Sequence, residues 1–100
     1  MVNIALIGCG RIGQMHAANV AMHKRTNLEM VFDADQKSAE KVAHLYNCNL
    51  VESASKIFGT ENIDGVIIAS VTSTHADYIE MAVAAGKPVL CEKPIDLDLD

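Results

Sequence analysis

Two rhythms of apolar and polar positions alternate along the chain. Val2–Ile7 is a short apolar run stopped by glycine, which reads as a buried strand. From Arg11 to about His23 the pattern turns helical, with small Ala17, Ala18 and Ala21 allowing close packing. Lys24 and Arg25 are expected in the last turn of that helix, where cations complement its dipole. Leu28–Phe32 is a second apolar run, ending at Asp33. Ala39, Val42, Ala43 and Tyr46 then recur at i, i+3, i+4 and i+7, an apolar helical stripe that Asn47 can end. Asn49–Val51 is a weaker third strand, and Ser53 to Phe58 a short helix closed by Gly59. Gly65–Ser70, carrying Val66, Ile67, Ile68 and Ala69, reads as a fourth strand. Thr74 and Asp77 stand at capping-box spacing, with Asp in place of Glu or Gln. The helix they open shows Ile79, Ala82 and Val83 and stops at Gly86, before a fifth strand at Pro88–Cys91.

Five strands alternating with four helices call for parallel βαβ units with right-handed crossovers. The strands are nearly continuous apolar runs, as expected when helices cover both faces of a sheet. The fold class is therefore α/β, a doubly wound parallel sheet. A length of 100 residues allows one domain.

Composition narrows the partners. Eight Lys and Arg stand against 13 Asp and Glu, a net charge of -5, which leaves no basic footprint for nucleic acid. With 50% apolar and 21% charged residues the chain is globular, not disordered. The apolar start has no basic segment before it and breaks at Gly8, so neither a signal peptide nor a membrane span is expected. Three widely spaced cysteines fit a reducing cytoplasm, and neither they nor the four histidines have the spacing of a metal site.

The candidate chemistry begins where the first strand ends. Gly8-Cys9-Gly10-Arg11-Ile12-Gly13 matches G-x-G-x-x-G between a predicted strand and a predicted helix, and Asp33 follows 20 positions after the last glycine. That context makes the pattern a dinucleotide fingerprint and the sheet Rossmann-type, with strand order 3-2-1-4-5. Gly8 permits the tight turn, Gly10 lets the backbone approach a pyrophosphate, and Gly13 lets helix and strand pack closely. Backbone N–H groups near Arg11 and Ile12 offer donors at the positive end of the helix. Asp33, at the end of the second strand, can accept both adenosine ribose hydroxyls and repels a 2′-phosphate, so NAD is favoured over NADP. Asp35 adds a second negative charge but reads better as a helix cap. Lys37 is the one nearby cation that could accommodate a 2′-phosphate, which leaves dual specificity open.

Ligands of such sheets bind beyond the carboxyl ends of the strands, near the reversal of strand order. The hydroxyl-rich stretch with Ser70, Thr72 and then His75 follows the fourth strand and falls beside the cofactor, within reach of the nicotinamide ribose. Glu92 and Lys93 follow the fifth strand and fall past the nicotinamide.

Taken together, the glycine loop, Ser73-Thr74-His75 and Glu92-Lys93-Pro94 resemble the glucose–fructose oxidoreductase/inositol dehydrogenase family. The segment from Gly86 to Asp98 looks most like its myo-inositol 2-dehydrogenase branch. The resemblance implies oxidation of a hydroxyl on a polyol or sugar to a ketone, with hydride passing to NAD. It also implies that Lys93 reaches both cofactor and substrate as the catalytic lysine of the Glu-Lys-Pro motif. Family members are longer and follow this domain with an α+β substrate domain, which carries the general-base histidine and the assembly interface. By that resemblance, residues 1–100 are an N-terminal cofactor domain, inactive alone, of a cytoplasmic homo-oligomer, a tetramer. The alternative is a dinucleotide-binding or sensing module without chemistry. The last six residues alternate like a strand, where the family begins another helix.

Overall fold

The structure, a computed structural model, describes residues 1–69 and 75–91, with the side chains of 1–69 and 78–90. Its elements follow the alternation read from the pattern: β1 (Val2–Ile7), α1 (Arg11–Met22), β2 (Thr26–Phe32), α2 (Gln36–Tyr46), β3 (Asn49–Leu50), α3 (Ala54–Phe58), β4 (Gly65–Ile68), α4 (His75–Ala85) and β5 (Val89–Cys91). The strands form one sheet in the order β3-β2-β1-β4-β5, and every neighbouring pair is parallel. The expected doubly wound order is the observed one.

Both faces of the sheet are covered, which explains the apolar runs. Leu6, Leu28, Val31 and Ile67 meet Ala17 and Val20 of α1 and Ala39 and Val42 of α2 on one side. Ala5, Ile7, Val66 and Ile68 meet Ala54, Ile57 and Phe58 of α3 and Ala82 of α4 on the other. Successive residues of β1 and β4 thus enter opposite cores, as the period-two geometry of a strand requires. Removing that apolar surface from water is the main favourable contribution to such a fold.

Helix ends are set by local chemistry. Asn47 adopts the left-handed conformation (φ 54°) after α2, and Cys48 N–H donates to Ala43 O at 3.0 Å. Gly86 (φ 70°) does the same after α4, with Lys87 N–H donating to Ala82 O at 3.0 Å. Both are Schellman-type closures, which satisfy carbonyls left unpaired at a helix end. Lys87 then reaches back, its Nζ donating to Thr60 O at 2.9 Å and Ile63 O at 3.0 Å, and so ties the α3–β4 loop to the start of β5.

Two expectations need correcting. Lys24 and Arg25 lie beyond α1, which ends at Met22 with no basic residue in its last turn. Thr26 Oγ donates to Val20 O at 2.7 Å, and Val2 N–H donates to Arg25 O at 2.8 Å. The segment is thereby drawn into the sheet at Thr26, two residues before the expected Leu28. In α4, Ala82 is buried, but Ile79 and Val83 are exposed. Tyr78 and Met81 pack against the core in their place. The strand ends also differ slightly: the third strand closes at Leu50 and the fourth at Ile68. The proposed Thr74–Asp77 cap lies outside the described residues and side chains.

Candidate functional site

The carboxyl ends of β1 and β2 lie side by side, with Ile7 opposite Phe32. Gly8 N–H donates to Phe32 O at 2.8 Å and carries the ladder one residue further. Gly8 then turns at φ 101°, a conformation strained for any residue with a Cβ. The chain reaches α1 through Gly10, which occupies the N-cap position without a capping side chain. The loop is braced from inside: Gln14 Nε2 donates to Cys9 O at 3.1 Å, and Gln14 N–H to Gly10 O at 2.8 Å.

The three glycines have separate physical reasons. A Cβ on Gly13 would fall onto the carbonyl oxygen of Gly8 and lie 2.7 Å from its carbon. Only glycine lets α1 approach β1 this closely. A Cβ on Gly10 would meet nothing within 4 Å. The space beside Gly10 is therefore open, and Gly10 stands at the N-cap of α1, where the N–H groups of Arg11, Ile12 and Gly13 have no partner inside the helix. This cradle, donor-lined and without side chains at its centre, has the chemistry of a phosphate site. It fits a dinucleotide pyrophosphate.

Asp33 is held against the loop. Its Oδ2 accepts the Cys9 N–H at 2.6 Å, and its Oδ1 accepts the Asp35 N–H at 2.8 Å. A carboxylate offers about four acceptor positions, so two protein bonds leave capacity for a pair of hydroxyls. Asp35 does sit at the N-cap of α2. Its carboxylate makes no backbone cap bond and instead accepts the Ser38 hydroxyl at 2.8 Å.

A cavity of about 320 Å³ opens beside Asp33, lined by Phe32, Asp33, Ala34, Gln36, Leu50, Val51 and Glu52. The last three were not singled out from the sequence, although they follow from the rule that ligands collect at carboxyl strand ends. Another concavity among the described residues, about 360 Å³, is lined by residues from Ile4 and Val20 to Val89 and Leu90. Its lining is apolar apart from Thr26, whose hydroxyl is already engaged with Val20 O.

Of the residues expected at the site, Gly8, Gly10, Arg11, Ile12, Gly13 and Asp33 come together at this one edge. Ile7 is also opposite Ile68, and Ile68 opposite Cys91. The chain therefore leaves β4 and β5 at the edge where the glycine loop leaves β1. Ser70, Thr72, Glu92 and Lys93 lie outside the described residues, as does the side chain of His75, the first residue of α4. Among the described residues, no group of three His, Cys, Asp or Glu side chains is placed to hold a metal ion. Nor, among the described residues, is any helix long and apolar enough to cross a membrane.

Cys9, in the middle of the loop, is a core residue and not a reactive one. Burial, and then the negative charge of Asp33 and the neighbouring Cys48, push its thiol from an ordinary 9.0 up to about 12. Burial likewise raises Cys48, to about 11. Because the folded state favours the neutral Cys9 thiol, its contribution to stability is complete below pH 9 and is lost as pH climbs toward 12. The thermal midpoint of the wild type is expected to fall more steeply above pH 9 than that of Cys9→Ala. Unfolding scans across that range check it, and parallel slopes would contradict it.

Comparison with known proteins points the same way. Residues 2–100 match the oxidoreductase family described by its NAD-binding Rossmann fold. The chain is 43% identical over 99 residues to inositol 2-dehydrogenase of Rhizobium meliloti (strain 1021), covering 99% of this chain and 30% of that protein. A crystal structure of myo-inositol dehydrogenase from Corynebacterium glutamicum ATCC 13032 superposes with a TM-score of 0.88 at 45% identity, covering 98% of this chain and 29% of that one. GenD2 from gentamicin A biosynthesis, solved in complex with NAD, superposes with a TM-score of 0.89 at 26% identity, covering 96% and 28%. The chain thus spans about 30% of the length of the curated relatives it matches.

Proposed function

Since the chain belongs to the oxidoreductase family with an NAD-binding Rossmann fold, we propose that it is the cofactor-binding part of an NAD-dependent dehydrogenase acting on a cyclic polyol or sugar. The observation that carries the reading is the Asp33 carboxylate, fixed at 2.6 Å on the Cys9 N–H of a glycine loop. The inositol dehydrogenases among its relatives support the substrate class.

In this reading the first-turn N–H groups of α1, at Arg11 and Ile12, bind the pyrophosphate, and Asp33 binds the adenosine ribose. Ser70, Thr72 and His75 contact the nicotinamide ribose, with Glu92 and Lys93 beyond it. When bound, NAD supplies the hydride acceptor. Lys93 presents an ammonium to the reacting hydroxyl, orients it and stabilises negative charge developing on its oxygen. Residues 1–100 form the cofactor domain, and the residues that shape the polyol pocket and take the hydroxyl proton belong to a substrate domain that follows. A cytoplasmic homo-oligomer completes the proposal.

The test is reduction of NAD by the intact protein across a panel of polyols and sugars. Myo-inositol is expected to give NADH. A protein that binds NAD and yields no NADH with any member of the panel would instead be a sensing module.

A further inference from the structure

The ladder between β1 and β2 contains one residue too many. Val2, Asn3 and Ile4 pair with Thr26, Asn27 and Leu28, whereas Ala5, Leu6 and Ile7 pair with Met30, Val31 and Phe32. Glu29 has no partner in β1. Such bulges are uncommon in parallel pairs, and they re-aim whatever follows them.

The consequence is visible in the packing. Leu28 and Val31 enter the same core, against α1 and α2, while Met30 and Phe32 pack on the opposite side. In an unbroken strand Leu28, Met30 and Phe32 would share a face, and Val31 and Asp33 would share the other. The extra residue inverts that phase beyond Leu28. Asp33, next after Phe32, emerges on the Val31 side, where Cys9 also lies and where its carboxylate accepts the Cys9 N–H.

The Glu29 side chain secures this irregularity. Its Oε1 accepts Asn27 Nδ2 at 2.8 Å, and its Oε2 accepts Asn49 Nδ2 at 3.3 Å. Asn27 Nδ2 also donates to Asn3 Oδ1 at 3.2 Å. One carboxylate at the bulge therefore joins β2 to β3, and Asn27 carries the chain of bonds on to β1. We propose that Glu29 is a positioning residue for dinucleotide recognition: it stabilises the bulge that turns Asp33 toward the glycine loop. The inference rests on the proposed function for its ligand, though not for its geometry.

Glu29→Ala keeps the residue count and removes both acceptors. In the intact protein without dinucleotide, hydrogen exchange of the Cys9 amide is expected to speed up about tenfold as its bond to Asp33 loosens. The Kd for NAD should rise about tenfold, the size of one weakened charge-assisted hydrogen bond. Preference for NAD over NADP should narrow in step. Glu29→Gln, which retains an acceptor, should recover most of both. On an Asp33→Ala background, Glu29→Ala should add less than about twofold, because both changes act through one contact. Unchanged Cys9 exchange and NAD affinity, or a penalty that adds in full to that of Asp33→Ala, would overturn the proposal. Should Glu29→Ala fail to fold, Asn49→Ala at the exposed short strand takes its place, judged by the same pattern. A wild type that does not bind NAD would overturn the functional reading, while Cys9 exchange would still decide the role of Glu29.

Discussion

Gly13→Ala is expected to damage fold and dinucleotide binding together, whereas Gly10→Ala spares the fold and loses binding alone. The two glycines are three residues apart, and what a methyl group would meet at each is different. At position 13 it collides with the backbone of Gly8, and no flexible side chain can move aside. Relief requires α1 to shift away from β1, which opens the core at Ala17 and carries its N–H groups out of line with the loop. Overpacking of this kind costs about 1–3 kcal/mol, occasionally more. With backbone as the obstacle, a loss near about 3 kcal/mol is expected, a large share of the ~5–15 kcal/mol that holds a domain together. At position 10 the methyl meets nothing within 4 Å, and the backbone there (φ -76°, ψ -160°) is open to alanine. It does, however, occupy the space proposed for the pyrophosphate. Thermal unfolding of both variants, paired with NAD titration, separates the two roles. Equal stability of the two variants would mean that Gly13 is not a packing glycine.

The second large effect is on turnover. Lys93→Met in the intact protein is expected to lower kcat by about 10²–10³-fold, the range for losing one group that stabilises developing charge on oxygen. NAD affinity should change by less than about threefold, because in the proposed function the pyrophosphate and the adenosine ribose are held by the glycine loop and Asp33 and not by Lys93. Steady-state kinetics with the preferred polyol, alongside direct NAD binding, measure the two quantities independently. If affinity and turnover fell equally, Lys93 would be a cofactor-binding residue only.

What could be read in the sequence, and what could not, divides along physical lines. Features set by a single residue's backbone chemistry were legible. Gly8 and Gly86 mark positive φ, Asn47 ends α2, and Gly13 marks the contact of helix with strand. So was Asp33, because a carboxylate at a strand end stands out against an apolar run. Features set by cooperation between distant segments were not. Leu28–Phe32 carries one charged residue, Glu29, among four apolar ones, and a lone carboxylate in a strand does not announce that it is an extra residue in the ladder. The bulge exists through the match with β1 and the amides of Asn27 and Asn49. Similarly, α4 is apolar on nearly every side, and periodicity could not show that Ala82, and not Val83, meets the core. The early end of α1 depends on Thr26 capturing the Val20 carbonyl from beyond the helix. The cavity residues Leu50, Val51 and Glu52 stand at and just beyond the end of a strand of two residues, too short to signal its own register.

In the proposed function, the edge formed by the glycine loop and Asp33 binds NAD through its unphosphorylated ribose. Titration of the intact protein with NAD and with NADP tests it most directly, wild type beside Asp33→Ala. Wild type is expected to bind NAD at least about tenfold more tightly than NADP, and Asp33→Ala to weaken NAD and close most of that gap. Equal affinity of the wild type for the two dinucleotides, or a preference unmoved by Asp33→Ala, would contradict it.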